Sequence, residues 1–277
     1  MERRVDHLAQ HTQNLGIGNY QYSKTKSINI LLVGRSQTGK STIIHTLMDP
    51  QYTASSTGFS DTKDPTLNHT ILKRINSNQL YQVNILDTPG LKEVRKDGES
   101  RADNEILNLA ARCIQWNITY LNLVCFVSKA GETHLIDAEV FNRIIYFLGE
   151  RFADISVMML THCDRFNDEK IKEFEEGIKT HQLSKDIYKY CKLGFAHYGA
   201  INYDNYAVLP SEEIKKLVIG ATLTRCEVFR NELSELIIRS ADKEKRVSEL
   251  EAIAKKNHEQ IRIVLVEKKN SSSCQIQ

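Results

Sequence analysis

Six short apolar runs punctuate the chain: Ile28 to Val33, Thr70 to Ile75, Tyr81 to Leu86, Leu121 to Val127, Ile155 to Thr161 and Leu193 to His197. Their length and their content of β-branched and aromatic residues predict strands. Between them, helical spacing of apolar positions predicts helices near Ser41 to Met48, Arg101 to Trp116, Ala138 to Leu148, Lys170 to Thr180 and Ser184 to Tyr190. Strands that alternate with helices imply an α/β fold with a doubly wound, mostly parallel sheet, which binds ligands at the carboxyl ends of its strands. After Leu209-Pro210 the pattern changes. From Ser211 to Lys269 there is no proline, one glycine and many charges, which predicts one or two long helices. Val247, Leu250, Ile253 or Ala254, Ile261, and Val264 or Leu265 fall on one face of that stretch, with a polar break at Asn257. Such a stripe seals its own domain, pairs with another helix or lies on a membrane. The chain thus divides into a polar segment over residues 1–26, an α/β domain over 27–210, a C-terminal helical extension over 211–269 and a tail over 270–277.

Composition narrows the picture only a little. With 41% hydrophobic residues in 277 the chain is globular, and a formal charge of +2 exerts no global pull toward nucleic acid. The six cysteines lie far apart without a C-x-x-C pair, which argues against structural zinc, and Cys125 within its apolar run reads as a core residue. Residues 1–27 lack the apolar stretch of a signal peptide, so a cytoplasmic protein is expected.

The chemistry concentrates where the first strand meets the first helix. Gly34-Arg35-Ser36-Gln37-Thr38-Gly39-Lys40-Ser41-Thr42 fits G-x-x-x-x-G-K-[ST] between a strand and a helix. The glycines let successive backbone N–H groups curl around phosphates at a helix N-terminus. Lys40 then reaches the β- and γ-phosphates, and the Ser41 hydroxyl completes the shell of a Mg²⁺ ion. A second signal, Leu86-Asp87-Thr88-Pro89-Gly90, ends an apolar strand in a carboxylate placed to hold Mg²⁺ through water, with Gly90 offering its N–H to a γ-phosphate. The third, Thr161-His162-Cys163-Asp164, runs a strand into an aspartate. An ionised carboxylate accepts only, and guanine offers N1–H and an N2 amine on one edge, whereas adenine has an acceptor at N1. Asp164 therefore points to GTP and GDP rather than ATP.

In order and spacing these three motifs resemble those of P-loop GTPases. Together with Leu91 after Gly90, the long segment Val124 to Gly149 and Phe195-Ala196-His197-Tyr198-Gly199-Ala200-Ile201-Asn202, they look most like the immunity-associated, avrRpt2-induced (AIG or GIMAP) type of G domain, related to septins and plastid Toc GTPases. The resemblance covers about Ser27 to Ile238. It implies a switch that binds GTP and GDP with Mg²⁺, hydrolyses slowly and forms a homodimer across its nucleotide faces. It also implies a threonine before Asp87 that touches both Mg²⁺ and the γ-phosphate: Thr66 by its distance from Asp87, then Thr62, with Thr57 also in the same polar run. Backbone at Ala200 would meet the guanine O6. The chain departs from the pattern in three places. His162 stands where a lysine usually packs over the base. Leu91 and Lys92 stand where Ras-like proteins carry a water-orienting glutamine. The segment Ser128 to His134 lacks the arginine that a dimer partner would supply, leaving Lys129, Arg95 and Arg101 as candidate cations.

The last residues, Cys274-Gln275-Ile276-Gln277, fit a C-a-a-X box behind Lys268, Lys269 and a serine-rich tether. Prenylation at Cys274 would place the protein peripherally on the cytosolic face of a membrane. Two other functions remain open from sequence: a GTP-dependent assembly scaffold with negligible hydrolysis, and a P-loop ATPase in which Asp164 is incidental.

Overall fold

A computed structural model describes residues 25–49, 51–54, 65–88, 116–132, 135–202, 204, 206 and 209–247. Among these residues the strands are β1 (Thr25–Val33), β2 (Thr66–Lys73), β3 (Leu80–Asp87), β4 (Tyr120–Leu121), β5 (Leu123–Lys129), β6 (Ser156–Thr161), β7 (Phe195–His197) and β8 (Lys245–Arg246). The α-helices are α1 (Lys40–Met48), α2 (Leu135–Leu148), α3 (Asp168–Thr180), α4 (Lys185–Tyr190) and α5 (Glu212–Ser240). The main sheet has the order β2-β3-β1-β5-β6-β7, parallel throughout except for β2, which runs antiparallel to β3. This is the doubly wound, mostly parallel α/β architecture expected from the alternation of strands and helices.

The apolar runs are continuous in β1, β5 and β6 because these strands are covered on both faces. Successive side chains point to opposite sides. Ile28, Ile30 and Leu32 join Val83, Ile85, Leu123, Cys125 and Val127 in one core, against Ile43, Ile44 and Leu47 of α1 and Leu233 and Ile237 of α5. Leu31, Val33, Val124 and Phe126 enter the other core, against Phe141, Ile144 and Leu148 of α2 and Ile171, Ile187 and Tyr190 of the next two helices. Cys125, in the first of these cores, is buried as its apolar setting predicts.

Three elements depart most from their expected bounds. The second strand starts at Thr66 rather than Thr70 and ends at Lys73. As an edge strand it needs little apolar content, so polar Thr66 to His69 pair with β3 without raising the hydrophobic signal. The run Leu121 to Val127 breaks at Asn122, whose Oδ1 accepts the Asn29 N–H (2.8 Å) and whose amide donates to the Lys243 carbonyl (3.1 Å). These bonds peel β4 away from the main sheet to pair with β8. The C-terminal stretch is also not helical throughout, because α5 ends at Ser240 and the chain returns through β8. Val247, the first residue of the predicted stripe, is 1% exposed in the core, and its N–H donates to the Thr119 carbonyl (2.8 Å). The rest of the stripe, the expected helix Arg101 to Trp116 before its last residue, and the tail with Cys274 lie outside the described residues. No helix among the described residues is long and apolar enough to cross a membrane.

Candidate functional site

The loop from Gly34 to Gly39 leaves the carboxyl end of the central strand β1 and enters α1. Gln37 and Gly39 both adopt left-handed backbone (φ 65° and 90°), separated by Thr38. Alternating hands of this kind turn successive N–H groups into one concavity. Gly39 is also the N-cap of α1 and brings no capping side chain, and the first turn carries no acid, so the helix's leading N–H groups face the concavity without a protein anion against them. At Gly34 a Cβ would lie 2.4 Å from the Val127 carbonyl oxygen, so the loop runs hard against β5 and only glycine fits. Lys40 is buried and curls back over the loop, its ammonium donating to the carbonyls of Gly34 (3.0 Å) and Arg35 (2.7 Å). Arg35 is half-buried, and Ser36 and Gln37 are exposed at the tip. The result is a cationic cradle at the amino end of α1.

Asp87 ends β3 beside this cradle. Its Oδ2 accepts the Ser41 hydroxyl (3.0 Å), while its Oδ1 is buried with no hydrogen-bond partner among the described residues. A buried carboxylate oxygen without a donor is what a divalent cation held by Ser41 and Asp87 would satisfy, so these residues fit Mg²⁺. Burial raises the Asp87 pKa, opposed first by the Lys40 charge and then by the Ser41 hydroxyl. The next residue anchors the corner, with the Thr88 hydroxyl donating to the Leu32 carbonyl (2.9 Å). Thr66 stands directly opposite Asp87 in the β2–β3 ladder, but its side chain is exposed and its hydroxyl accepts the Asn68 amide (3.2 Å). Thr57, Thr62, Gly90, Leu91, Lys92, Arg95 and Arg101 lie outside the described residues.

The third motif forms a pocket continuous with the cradle. A solvent-open cavity of about 380 Å³ is lined by Gly39, Thr42, Thr161, His162, Asp164 and Ala200, and also by Ala54, Arg165, Tyr198, Gly199 and Asn202. Thr161 joins the two halves: its hydroxyl lies 2.7 Å from the Thr38 carbonyl and donates to it. Asp164 is the middle residue of a short 3₁₀ turn, Cys163–Arg165, that follows β6. Gly199 lets the opposite loop press on it, since a Cβ there would sit 2.8 Å from both the N and the Cβ of Asp164. Burial raises the Asp164 pKa, and backbone N–H groups, including that of Ala200, together with the Arg165 charge pull it back. His162 takes left-handed backbone (φ 61°), and burial first, then the Arg165 and Lys129 charges, lower its pKa to about 4. The ring that replaces the usual lysine is therefore uncharged at neutral pH.

These shifts carry a sign. Both aspartates are raised in the folded protein, so in the ligand-free state each favours the fold below its unfolded value near 3.9 and costs stability as pH rises through its folded value. Ligand binding runs the other way, because holding a cation or accepting guanine donors needs the ionised form. Mg²⁺–guanine nucleotide affinity should fall on acidification at a pH above the ordinary carboxylate range. Titration calorimetry between pH 7.5 and 5 checks this, and an affinity that stays flat would contradict it.

Sequence reasoning located the loop, Ser41, Asp87, Thr161, His162, Asp164 and Ala200, and the structure brings these to one continuous surface. That reasoning did not single out Ala54, Arg165, Tyr198, Gly199 or Asn202 as site residues, although Tyr198 to Asn202 fall in the segment quoted for the resemblance. Ala54 bridges to Asn202, its N–H donating to the Ile201 carbonyl (2.9 Å). No local motif marks a contact across that separation in sequence. Gly199 beside the aromatic Tyr198 was the one readable hint.

The sequence model of the AIG1 family matches residues 28–194. Translocase of chloroplast 34 from Arabidopsis thaliana is 26% identical over 149 residues, which make up 53% of this chain and 44% of that protein. The chain thus spans under half the length of that relative. Among solved structures, a dimerization-deficient mutant of Toc33 from Arabidopsis thaliana superposes with a TM-score of 0.50 at 15% identity, covering 78% of this chain and 85% of the other. A structure from work on the chloroplast translocon components atToc33 and psToc159, for which dimerization is described as important for GTPase activity, gives 0.49 at 15% identity over 89% and 92%. At 15% identity the likeness to the Toc33 mutant concerns the fold alone.

Proposed function

The chain belongs to the AIG1 family, and from that premise we propose that it is a slow GTPase switch that binds GTP and GDP with Mg²⁺ and dimerises across its nucleotide faces. The observation that carries the reading is the continuity of cradle and pocket: Thr161 holds the loop carbonyl of Thr38 and lines the cavity that ends at Asp164. A nucleotide laid along this path has its phosphates on the N–H groups of Gly34 to Ser41 and its base edge on Asp164.

Lys40 neutralises charge on the β- and γ-phosphates and stabilises it as it shifts during cleavage. Ser41 and Asp87 would hold Mg²⁺, which when bound would draw electron density from the phosphate oxygens. Thr66, or Thr62 before it, senses the γ-phosphate. No glutamine follows the Asp87 turn to orient water, since Leu91 and Lys92 occupy that place, so turnover by an isolated subunit is slow. Lys129 is the described cation nearest the role of a partner-supplied arginine, and it is paired with Glu132 within its own chain. That pairing favours a second reading, a scaffold that assembles on GTP with negligible hydrolysis.

GTP turnover per molecule, measured over a wide range of protein concentration after GDP removal, separates the two. A rate that climbs with concentration is expected for a site completed by a partner subunit. A negligible rate together with GTP-dependent self-association would support the scaffold. Rapid turnover by a dilute monomer would refute both.

A further inference from the structure

The Tyr198 hydroxyl lies inside the molecule, with 2% of the residue exposed, at the meeting of three elements. It contacts the Thr46 hydroxyl on α1 and hydrogen-bonds Arg230 on α5. Donor counting gives this chain one direction. The Thr46 hydroxyl lies 2.7 Å from the Thr42 carbonyl and 3.1 Å from that of Ile43, and its single proton goes to these. Thr46 Oγ1 can then only accept, so Tyr198 donates to it. Guanidinium has no acceptor, so Arg230 donates to the Tyr198 oxygen. The sequence of bonds runs from α5 through Tyr198 and Thr46 to the first turn of the helix that carries the phosphate cradle, ending at Thr42, itself a wall of the cavity.

The same tyrosine fixes the base loop. Its N–H donates to the Leu160 carbonyl (2.8 Å) and its carbonyl accepts the Cys163 N–H (3.0 Å). Gly199, the next residue, packs on Asp164, and the N–H of Ala200 reaches the Asp164 carboxylate. Burial pushes the Tyr198 phenol up, keeping it the neutral donor the chain requires.

We infer that Tyr198 is a positioning residue, whose buried hydroxyl locks the base loop to α1 and α5 and so holds Asp164 in the geometry that reads both donors of guanine. The inference rests on the guanine-nucleotide reading above. Holding a carboxylate against two donors at once needs a fixed loop, and a buried bond across elements supplies that rigidity.

The test compares affinities for GTP and ITP, whose base lacks the N2 amine, in the full chain. Tyr198→Phe keeps the ring and removes the hydroxyl. It should weaken GTP about tenfold and ITP much less, narrowing the GTP-to-ITP ratio. A merely structural defect would lower both alike. Thr46→Val should reproduce the effect, Thr46→Ser should restore it, and the double variant Tyr198→Phe with Thr46→Val should be no worse than either single one. A folded Tyr198→Phe protein with an unchanged ratio, or additive losses in the double variant, would overturn the inference while the wild-type preference for GTP kept the parent reading intact. A wild type without that preference would overturn both.

Discussion

Asp164→Asn should move the nucleotide preference from guanine to xanthine. The carboxylate sits in the 3₁₀ turn that follows the buried strand β6, accepts the Ala200 N–H and lines the same cavity as Gly39. Ionised, it offers acceptors alone, matched to the N1–H and N2 amine of guanine. Asparagine replaces one acceptor with a donor, leaving the guanine amine facing an NH₂ group and giving the C2 oxygen of xanthine a partner. Bonds to a charged acceptor in a partly buried site contribute roughly 1.5–3 kcal/mol each, and an unmatched polar group there adds its own penalty. GTP affinity should drop at least about a hundredfold and that for XTP should rise. Competition titrations with GTP, XTP and ATP read this directly. If the variant still ranks GTP above XTP, or if the wild type takes ATP as readily as GTP, Asp164 does not read the base. The loss of charge should also flatten part of the pH dependence set by the two raised aspartates.

How far the sequence foretold this site depends on what each part is made of. The cradle was legible because its chemistry is local: two glycines, a lysine and a hydroxyl between one strand and one helix must lie together whatever the rest of the chain does. Asp87 and Asp164 were legible for a related reason, since Asp87 closes an apolar strand, Asp164 follows one within three residues, and a parallel strand delivers its carboxyl end to the ligand edge. The pocket's other wall was legible only as the segment Phe195 to Asn202 that carries the resemblance, not through the contacts that hold it in place. Ala54, Tyr198 and Asn202 matter through contacts made between elements distant in sequence, such as Tyr198 with Thr46 and Ala54 with Ile201. Neither partner carries a pattern that names the other. The C-terminal stretch failed differently. Helix propensity and charge suggested helix beyond Ser240, but Asn122 offers its amide to Lys243, and the strand pair β4–β8 captures the chain. Val247 reads equally well as a helical stripe residue or as a core residue, and tertiary burial decided for the core.

Two glycines allow the phosphate and base halves of the site to be broken separately. At Gly34 an added methyl would meet the Val127 carbonyl oxygen at 2.4 Å, its carbon at 3.3 Å and Thr38 Oγ1 at 3.0 Å. The first of these cannot swing aside, because it belongs to β5, whose Phe126 is in register with Val33 one residue before the glycine. Relief must come from the loop itself, which opens the N–H concavity and draws away the Gly34 carbonyl that the Lys40 ammonium bonds. Gly34→Ala should therefore abolish binding of GTP, GDP and inorganic tripolyphosphate alike, by at least about a hundredfold, and lower stability by about 1–3 kcal/mol as overpacking does. At Gly199 the methyl would press on the N, Cβ and Oδ1 of Asp164, between 2.8 and 2.9 Å away, and leave the cradle untouched. Gly199→Ala should thus weaken GTP while sparing tripolyphosphate, and should reduce the preference for GTP over ITP. Circular dichroism and thermal melts establish that each variant is folded before affinities are compared. A folded Gly34→Ala protein that still binds tripolyphosphate normally would remove the phosphate-cradle assignment. Equal losses of tripolyphosphate in both variants would mean that cradle and pocket cannot be separated, and that the Thr161 to Thr38 bond joining them carries displacement at Asp164 into the loop.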